Sequence, residues 1–374
     1  MNLAGRIAGR LARDAAALQR GAGNFLVRRF ILPGYEPLLR AASGKPGSGV
    51  MALRYRYFGG KAGPVPSDGE DNLTRCLAAA GVTLAAPYNY DEDFTPGLRG
   101  DETLVRRVAA SPPSLLLLSS YDCFSSRQPR FDVIRAIRAR LEIPVVAVWW
   151  DSTSETARRQ FEAMYDAVDL NVLIESSALA AYAPDPARVL RLWAPIDPSL
   201  FRPADGGRDI PVSFLGSTAG YRALRLEYLE HVKRAGIELL HTGGPVESPV
   251  SIEEYARLLG RARISLNFSH SVENTHQLKG RVIEIMFSGA LLMENRNPEI
   301  ERYFKPMSEY VEFTSREDLA GKIRYFLEHE EERAAIAAAG RRRALELFGG
   351  SRFCDQLEGA LAARHMRLPR GAGA

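Results

Sequence analysis

Residues 279–304, KGRVIEIMFSGALLMENRNPEIERYF, decide the fold of this chain. Their pattern predicts a helix, a tight turn at Ser288-Gly289, a short buried strand over 290–293 and a second helix. The second helix is predicted to begin after Asn297, because Pro298 suits a first helical position and an acidic residue follows it. A helix, a buried strand and another helix in succession indicate an α/β protein.

Two cations, Lys279 and Arg281, stand at the start of the first helix of this stretch, and Glu284 follows one turn later. Cations beside the positive end of a helix dipole are unfavourable unless an anion lies between them. The stretch therefore predicts a bound phosphate group at the N-terminus of this helix.

The composition is typical of a soluble globular protein. Of the 374 residues, 46% are hydrophobic and 25% are charged, and this length suits two domains of about 150 to 200 residues each. The three cysteines form no CxxC pair, which argues against a disulfide framework and against a thiolate zinc site. They favour a reducing, cytoplasmic setting. No apolar run approaches the roughly 18 residues that a membrane span needs.

The basic charge is concentrated at the N-terminus. The chain carries a net charge of +4, and residues 1–50 alone hold eight Lys or Arg against two acidic residues. There Leu3, Ile7 and Leu11 share one face of a predicted basic helix. Such a helix is typical of membrane-surface contact, so residues 1–40 are predicted to touch a membrane; the alternative is docking on their own domain. No basic patch with interleaved aromatic residues continues beyond them, so nucleic acid is not a predicted partner.

From residue 50 onward, predicted strands alternate with predicted helices. A strand over 52–58 leads into a glycine loop, and strands such as 114–119 are apolar on both faces, as in a parallel sheet covered by helices on both sides. The proline-rich segment 195–203 interrupts the alternation, which restarts with a strand over 212–215. The pattern predicts two α/β domains that bind ligands at the carboxyl ends of their strands.

We divide the chain into four parts on this basis. They are a basic arm with its linker (1–49), an N-terminal Rossmann-like domain (50–200), a C-terminal Rossmann-like domain (201–348) and a C-terminal helix with its tail (349–374).

A loop of small residues follows the first strand of the second domain. Gly216 and Ser217 lie in this loop, and Arg222 stands where the next helix begins. Backbone N–H groups at a helix N-terminus bind anions. Together with Lys279 and Arg281, the loop supplies a three-cation site for a diphosphate.

Further small, polar or charged residues follow other predicted strands. Glycines there permit close approach of the backbone to a ligand. The residues singled out are Gly59, Gly60, Lys61, Asp122, Asp151, Gly243, Gly244 and His276. The acidic triplet 91–93 (Asp-Glu-Asp) has the flanks of a loop and is interpreted as a solvated turn, so no metal site is predicted.

Residues 279–304, together with SREDLAGKIRYFLEHEEERAAIAAAGRRRALE (315–346), resemble the C-terminal half of GT-B glycosyltransferases. The stretches SFLGSTAGYRALRLEYL (213–229) and SIEEYARLLGRARISLNFS (251–269) fit the same group. The group most similar is the CgeB-like (spore maturation protein-like) enzymes, relatives of the retaining family 4 transferases. The resemblance covers roughly residues 210–350, and the first domain matches in architecture alone.

This resemblance implies two Rossmann-like domains facing each other across a cleft, with a nucleotide-sugar donor in the second domain and an acceptor in the first. It implies that Arg222, Lys279 and Arg281 neutralise the diphosphate, together with Gly216 and Ser217. Acceptor-side residues would be Gly59, Gly60, Lys61 and Asp122.

The family 4 motif Glu-x7-Glu is only half present. Glu284 occupies the place of the second Glu, which implies contact with the ribose, and Glu299, Gly243 and Gly244 lie where the donor is expected. Eight residues before Glu284 the chain has His276 in place of the first Glu. We predict that His276 contacts the donor or takes part in catalysis; a plain helix-entry residue is the alternative.

The catalytic base is predicted to be a carboxylate, because all six histidines lie in the second half of the chain. Asp151 follows an apolar strand where the cleft should open, and it is the candidate. Capping the next helix is the alternative, and in a retaining reaction Asp151 would orient the acceptor while the donor phosphate takes the proton.

The predicted function is transfer of a sugar from a nucleotide-diphosphate sugar to a cell-envelope or lipid-linked glycan, with neither metal nor cofactor. The predicted location is cytoplasmic, with peripheral contact at the inner face of the membrane. Two alternatives stay open: a non-catalytic nucleotide-sugar-binding protein, and an epimerase of nucleotide sugars on the same fold.

Overall fold

A computed structural model of the protein describes most of the chain. The described residues are 32–60, 63–66, 68–95, 98–150, 153–174, 178–218, 222–242, 250–269, 276, 278–349 and 351–371. They form two parallel sheets with helices packed against them, so the predicted α/β architecture of two sheets is confirmed. In this described part, no helix is both long enough and apolar enough to cross a bilayer.

The first domain is built on a six-stranded parallel sheet of order β4-β1-β5-β6-β7-β8, with a separate hairpin of β2 and β3. Its strands are β1 (Val50–Arg54), β2 (Tyr57–Gly60), β3 (Gly63–Pro66), β4 (Tyr88–Asn89), β5 (Leu115–Ser119), β6 (Val145–Trp149), β7 (Leu170–Ile174) and β8 (Val189–Leu192). Its helices are α1 (Leu32–Ala42), α2 (Asp68–Ala79), α3 (Leu98–Ala110), α4 (Phe131–Leu141) and α5 (Glu155–Met164). All residues of β5, β6 and β7 are buried, which is why these strands are aliphatic on both faces.

The second domain is built on a five-stranded parallel sheet of order β10-β9-β11-β12-β13. Its strands are β9 (Ile210–Leu215), β10 (Leu239–Thr242), β11 (Ala262–Asn267), β12 (Leu291–Asn295) and β13 (Val311–Phe313). Its helices are α6 (Ala223–Arg234), α7 (Ile252–Arg261), α8 (Gly280–Phe287), α9 (Arg316–Glu328) and α10 (Glu330–Phe348). The predicted turn between α8 and β12 is confirmed: Gly289 has φ +72°, a conformation that favours glycine.

The final helix, α11 (Arg352–Ala362), returns to the first domain. Its Cys354, Leu357 and Leu361 are buried in one apolar cluster with Leu73 and Leu77 of α2. The thiol of Cys354 points at the carbonyl oxygen of Cys76, 3.6 Å away. The C-terminus therefore ties the two domains together.

The helix predicted after Asn297 is wrong. The structure has a turn followed by a single 3-10 turn over Ile300–Arg302. Asn297 is fully buried, and its Oδ1 accepts a hydrogen bond from the N–H of Glu299, only two residues later. This local bond favours a turn over an α-helical start, and the chain enters β13 soon afterwards.

The single strand predicted over 52–58 is also wrong, because the chain divides into β1 and β2. The carboxylate of Asp91 accepts hydrogen bonds from the N–H groups of Arg56 and Tyr57, at 3.0 and 2.8 Å. These bonds pull the backbone out of the sheet, and β2 then pairs antiparallel with β3. Gly59 and Gly60 therefore lie in a hairpin strand, whereas Lys61 falls outside the described residues.

We predict that Gly340→Ala destabilises the protein while Gly321→Ala does not. A Cβ at the buried Gly340 of α10 would collide with the carbonyl oxygen of Glu309, whereas a Cβ at the exposed Gly321 of α9 meets nothing within 4 Å. Overpacking against backbone costs about 1 to 3 kcal/mol, and an exposed helical Gly→Ala gains up to about 1 kcal/mol. Urea denaturation measures both, and equal effects of the two substitutions would contradict this packing.

Candidate functional site

The carboxyl ends of β9, β11 and β12 lie side by side at one edge of the second sheet. The parallel register sets Ser265 of β11 beside Ser213 of β9, and Asn267 of β11 beside Glu294 of β12. Gly216 comes directly after β9. Polar residues from three neighbouring strands therefore meet where ligands bind in parallel α/β sheets.

The guanidinium of Arg281, from the first turn of α8, lies against this edge. Its Nη1 donates a hydrogen bond to Oδ1 of Asn267 over 3.2 Å, and its Cζ lies 5.6 Å from the ring centroid of Phe214. A Cβ added to Gly216 would lie only 2.8 Å from Nη2 of Arg281. Two residues predicted to bind the diphosphate, Gly216 and Arg281, are thus brought together, and the close approach requires glycine.

The carboxylate of Glu284 lies one turn further along α8. The hydroxyl of Tyr255, from α7, donates to its Oε2 over 2.6 Å. Removal from water acts to lower the pKa of Arg281, but the nearby Tyr255 and Glu284 outweigh it and raise that pKa. Arg281 therefore keeps its charge at the site, and the orientation of Glu284 is held by the tyrosine.

The sequence analysis missed Glu294, a fully buried carboxylate at the end of β12. Its Oε2 accepts a hydrogen bond from Nδ2 of Asn267 over 2.6 Å, and its Oε1 accepts one from the hydroxyl of Ser269. Burial raises the pKa of this carboxyl to about 7, against the opposing effect of these hydrogen bonds and of the charges on Arg281 and Arg225. A charged residue inside the apolar run of a strand was the available signal.

Arg225 of α6 was also missed, and it holds the loop after β9. The side chain is buried and donates to the carbonyl oxygens of Ser217 and Phe268, at 3.1 and 2.9 Å. The same loop is held from the other side, because the N–H of Gly216 donates to the carbonyl of Thr242. The position of the loop is therefore fixed by the fold before any ligand arrives.

Lys279 and Arg222 each lie at the start of a helix, as the sequence suggested. Lys279 directly precedes α8 in an extended conformation (φ −80°, ψ 143°), and Arg222 directly precedes α6. Both side chains are partly exposed. Two helix N-termini and their basic residues thus border the edge that holds Arg281.

Glu299 has a contact that the sequence analysis did not foresee. Its Oε2 lies 3.1 Å from Nη2 of Arg191 in the first domain and 3.3 Å from Nη1 of Arg302. The carboxylate therefore links the two domains, and its role at the donor stays a prediction.

Several predicted residues cannot be placed. Asp151, Lys61, Gly243 and Gly244 lie outside the described residues. His276 is described and partly buried. The roles of all five stay predictions.

In the first domain, polar and aromatic side chains follow β5. Oδ1 of Asp122 accepts from the N–H of Phe124 at 2.8 Å, and the N–H of Asp122 donates to Oε1 of the buried Gln128 at 2.7 Å. Nε2 of Gln128 in turn donates to the hydroxyl of Tyr55 at 3.0 Å. Asp122 is thus part of a local network at the carboxyl edge of the first sheet.

The acidic triplet 91–93 forms a turn, as predicted. Asp93 is paired with Arg107 at 2.6 Å, and the carboxylate of Asp91 is occupied by the backbone bonds described above. Among the residues that the structure describes, no three His, Cys, Asp or Glu side chains cluster in a way that could hold a metal ion.

Comparison with known proteins relates the chain to glycosyltransferases. The profile of a family described as glycosyl transferase-like matches residues 200–358, which are the second domain and most of α11. No curated protein is similar enough in sequence to count as a match.

Three solved structures illustrate the similarity of fold. Anabaena HepE in complex with UDP-glucose has a TM-score of 0.59 and 12% identity, over 84% of this chain and 99% of that one. A Rickettsia africae glycosyltransferase has a TM-score of 0.59 and 9% identity, over 84% and 97%. Sucrose-phosphate synthase from Thermosynechococcus elongatus has a TM-score of 0.54 and 14% identity, over 85% and 98%. The chain has the GT-B fold, and membership of the CgeB-like group stays a prediction.

We predict that Gly216→Ala weakens binding of an anion without unfolding the protein. The new methyl group would displace the guanidinium of Arg281, which is the far end of a flexible side chain and can move at little cost. Loss of one charge-assisted hydrogen bond should weaken binding of inorganic pyrophosphate about tenfold, as measured by calorimetry.

Gly206→Ala is the matched control, because a Cβ there meets nothing within 4 Å. Unchanged pyrophosphate affinity in Gly216→Ala would show that the contact between Gly216 and Arg281 is unrelated to anion binding.

Proposed function

We propose that this protein is a glycosyltransferase that moves a sugar from a nucleotide-diphosphate sugar to a glycan acceptor. The observation that carries the proposal is the guanidinium of Arg281 against Gly216, with Glu284 one turn along the same helix. A glycosyl transferase-like sequence over residues 200–358 and the GT-B fold support it.

The charge of the site suits this reaction. Breaking an anomeric C–O bond leaves a nucleoside diphosphate, so negative charge grows on the phosphates in the transition state. Cations and helix N-termini placed in advance stabilise that charge. Arg281 supplies the cation at the sheet edge, and Lys279 and Arg222 join it from the two helix starts. We therefore propose that the reaction uses neither a metal ion nor a cofactor.

The ribose side of the donor is assigned to Glu284. A carboxylate accepts hydrogen bonds from two vicinal hydroxyls, and Tyr255 holds this one in place. We propose that Glu299, Gly243, Gly244 and His276 complete the donor side. Since HepE was solved with UDP-glucose, UDP is the first nucleotide to test.

The acceptor is assigned to the carboxyl edge of the first sheet, with Asp122 and the hairpin residues Gly59, Gly60 and Lys61 on that side. Asp151 is proposed as the base, or as the group that orients the acceptor if the reaction retains configuration. A cell-envelope or lipid-linked glycan is the proposed acceptor, and membership of the CgeB-like group is part of this proposal. The proposed location is cytoplasmic, with residues 1–40 on the inner face of the membrane.

Substitution of Arg281 tests the proposal. We expect Arg281→Ala to lower turnover of nucleotide sugars about 100-fold or more, since a preorganised charge in the transition state is typically worth 10² to 10³ in rate. Glu284→Ala should also lower turnover. The assay is release of nucleoside diphosphate from a panel of nucleotide sugars and glycan acceptors, with circular dichroism to verify folding.

Arg257→Ala is the matched control, because Arg257 pairs with Glu254 on the exposed face of α7. Nucleoside diphosphate binding without turnover on any acceptor would favour the non-catalytic binding protein. Absence of nucleoside diphosphate binding in the wild type would refute the assignment of the second domain.

Deletion of residues 1–31 tests the membrane contact. If the basic arm supplies it, the truncated chain should no longer sediment with anionic liposomes, while its affinity for UDP stays unchanged. The apolar face and the cluster of arginines both contribute to such binding. Equal sedimentation of the full-length and truncated chains would exclude a membrane role for the arm.

A further inference from the structure

The buried carboxylate of Glu294 is not used by the chemistry proposed above. It is fully buried, and its two oxygens accept hydrogen bonds from Asn267 and Ser269. Burying a carboxylate is costly unless its hydrogen bonds compensate. A group of this kind, directly beneath a candidate ligand site, calls for a physical explanation.

Asn267 connects this carboxylate to Arg281. The amide is fully buried, donates through Nδ2 to Glu294 at 2.6 Å, and accepts through Oδ1 from Nη1 of Arg281 at 3.2 Å. A carboxylate only accepts hydrogen bonds and a guanidinium only donates them. With Glu294 ionised, the amide therefore has one orientation that satisfies both neighbours. Without an acceptor at position 294, the amide can turn and present N–H groups to Arg281.

The guanidinium has few other fixed supports. Nε of Arg281 is inaccessible to solvent and has no hydrogen-bond partner among the described residues. Its plane rests near the ring of Phe214 and beside Gly216, and neither contact accepts a strong hydrogen bond. The bond to Asn267 is therefore a directional restraint on where Arg281 points.

We propose that Glu294 is a positioning residue for the donor: through Asn267, it holds the guanidinium of Arg281 against the Gly216 loop, where the diphosphate would lie. This inference rests on the proposed function. The charged groups that face Glu294 are Arg281 from α8 and Arg225 from α6. Arg225 is engaged by the carbonyls of Ser217 and Phe268, which leaves the path through Asn267 to Arg281.

A double-mutant cycle tests the proposal, with UDP as the probe and calorimetry on the full-length chain. Glu294→Met keeps the length of the side chain and removes the acceptor for Asn267, so UDP affinity should fall about tenfold. Glu294→Gln retains a carbonyl acceptor and should stay within about threefold of the wild type. In an Arg281→Ala background, Glu294→Met should have no further effect, because residues that act through one contact are not additive.

Asn267→Ala provides a second route if Glu294→Met does not fold. It should weaken UDP binding to a similar extent, again only when Arg281 is present. Glu312→Met is the matched control, because Glu312 lies beside Glu294 in the register of β12 and β13 and is only partly buried. Its UDP affinity should equal that of the wild type.

The outcomes separate this inference from the proposed function. Equal losses from Glu294→Met with and without Arg281, or a loss in Glu294→Gln as large as in Glu294→Met, would overturn the positioning role while leaving UDP binding established. If the wild type binds neither UDP nor any other nucleoside diphosphate, the proposed function is overturned, and the inference with it.

Discussion

The structure depends on the placement of one partly buried cation, Arg281, at the edge of the second sheet. A guanidinium away from water is stable only if opposite charge and hydrogen-bond acceptors surround it. Here Glu284 and Tyr255 lie on one side and Asn267 with Glu294 on the other. This arrangement requires α8 to begin where β9, β11 and β12 end, and the parallel topology of the sheet ensures that it does.

The two domains are joined by contacts that leave this edge facing the linker between them. A Cβ on Gly280, the first residue of α8, would lie 3.5 Å from the Cβ of Ala194 in the linker after β8. Arg191 and Glu299 form an ion pair across the domains, and α11 packs on the first domain. The linker therefore contacts the start of the helix that carries Arg281, so movement of one domain would be felt at the site.

The failures of prediction have a common cause, namely side chains that bond to nearby backbone. Asn297 was assigned as the cap of a helix, but its oxygen bonds two residues ahead and forms a turn. Asp91, distant in sequence, binds the N–H groups of Arg56 and Tyr57 and breaks the first strand. Local propensity can be estimated from sequence, whereas bonds between segments far apart in the chain depend on the completed fold.

The sequence by itself determined the alternation of strands and helices, the two-domain architecture and the residues at strand ends, because hydrophobic periodicity and glycine positions are local properties. It also identified Gly216, Arg281 and Glu284 as candidates. Only the tertiary structure decided that Gly216 and Arg281 touch, and that Glu294 and Asn267 support them. These contacts join strands and helices that are distant in sequence, and no local pattern encodes the distance between them.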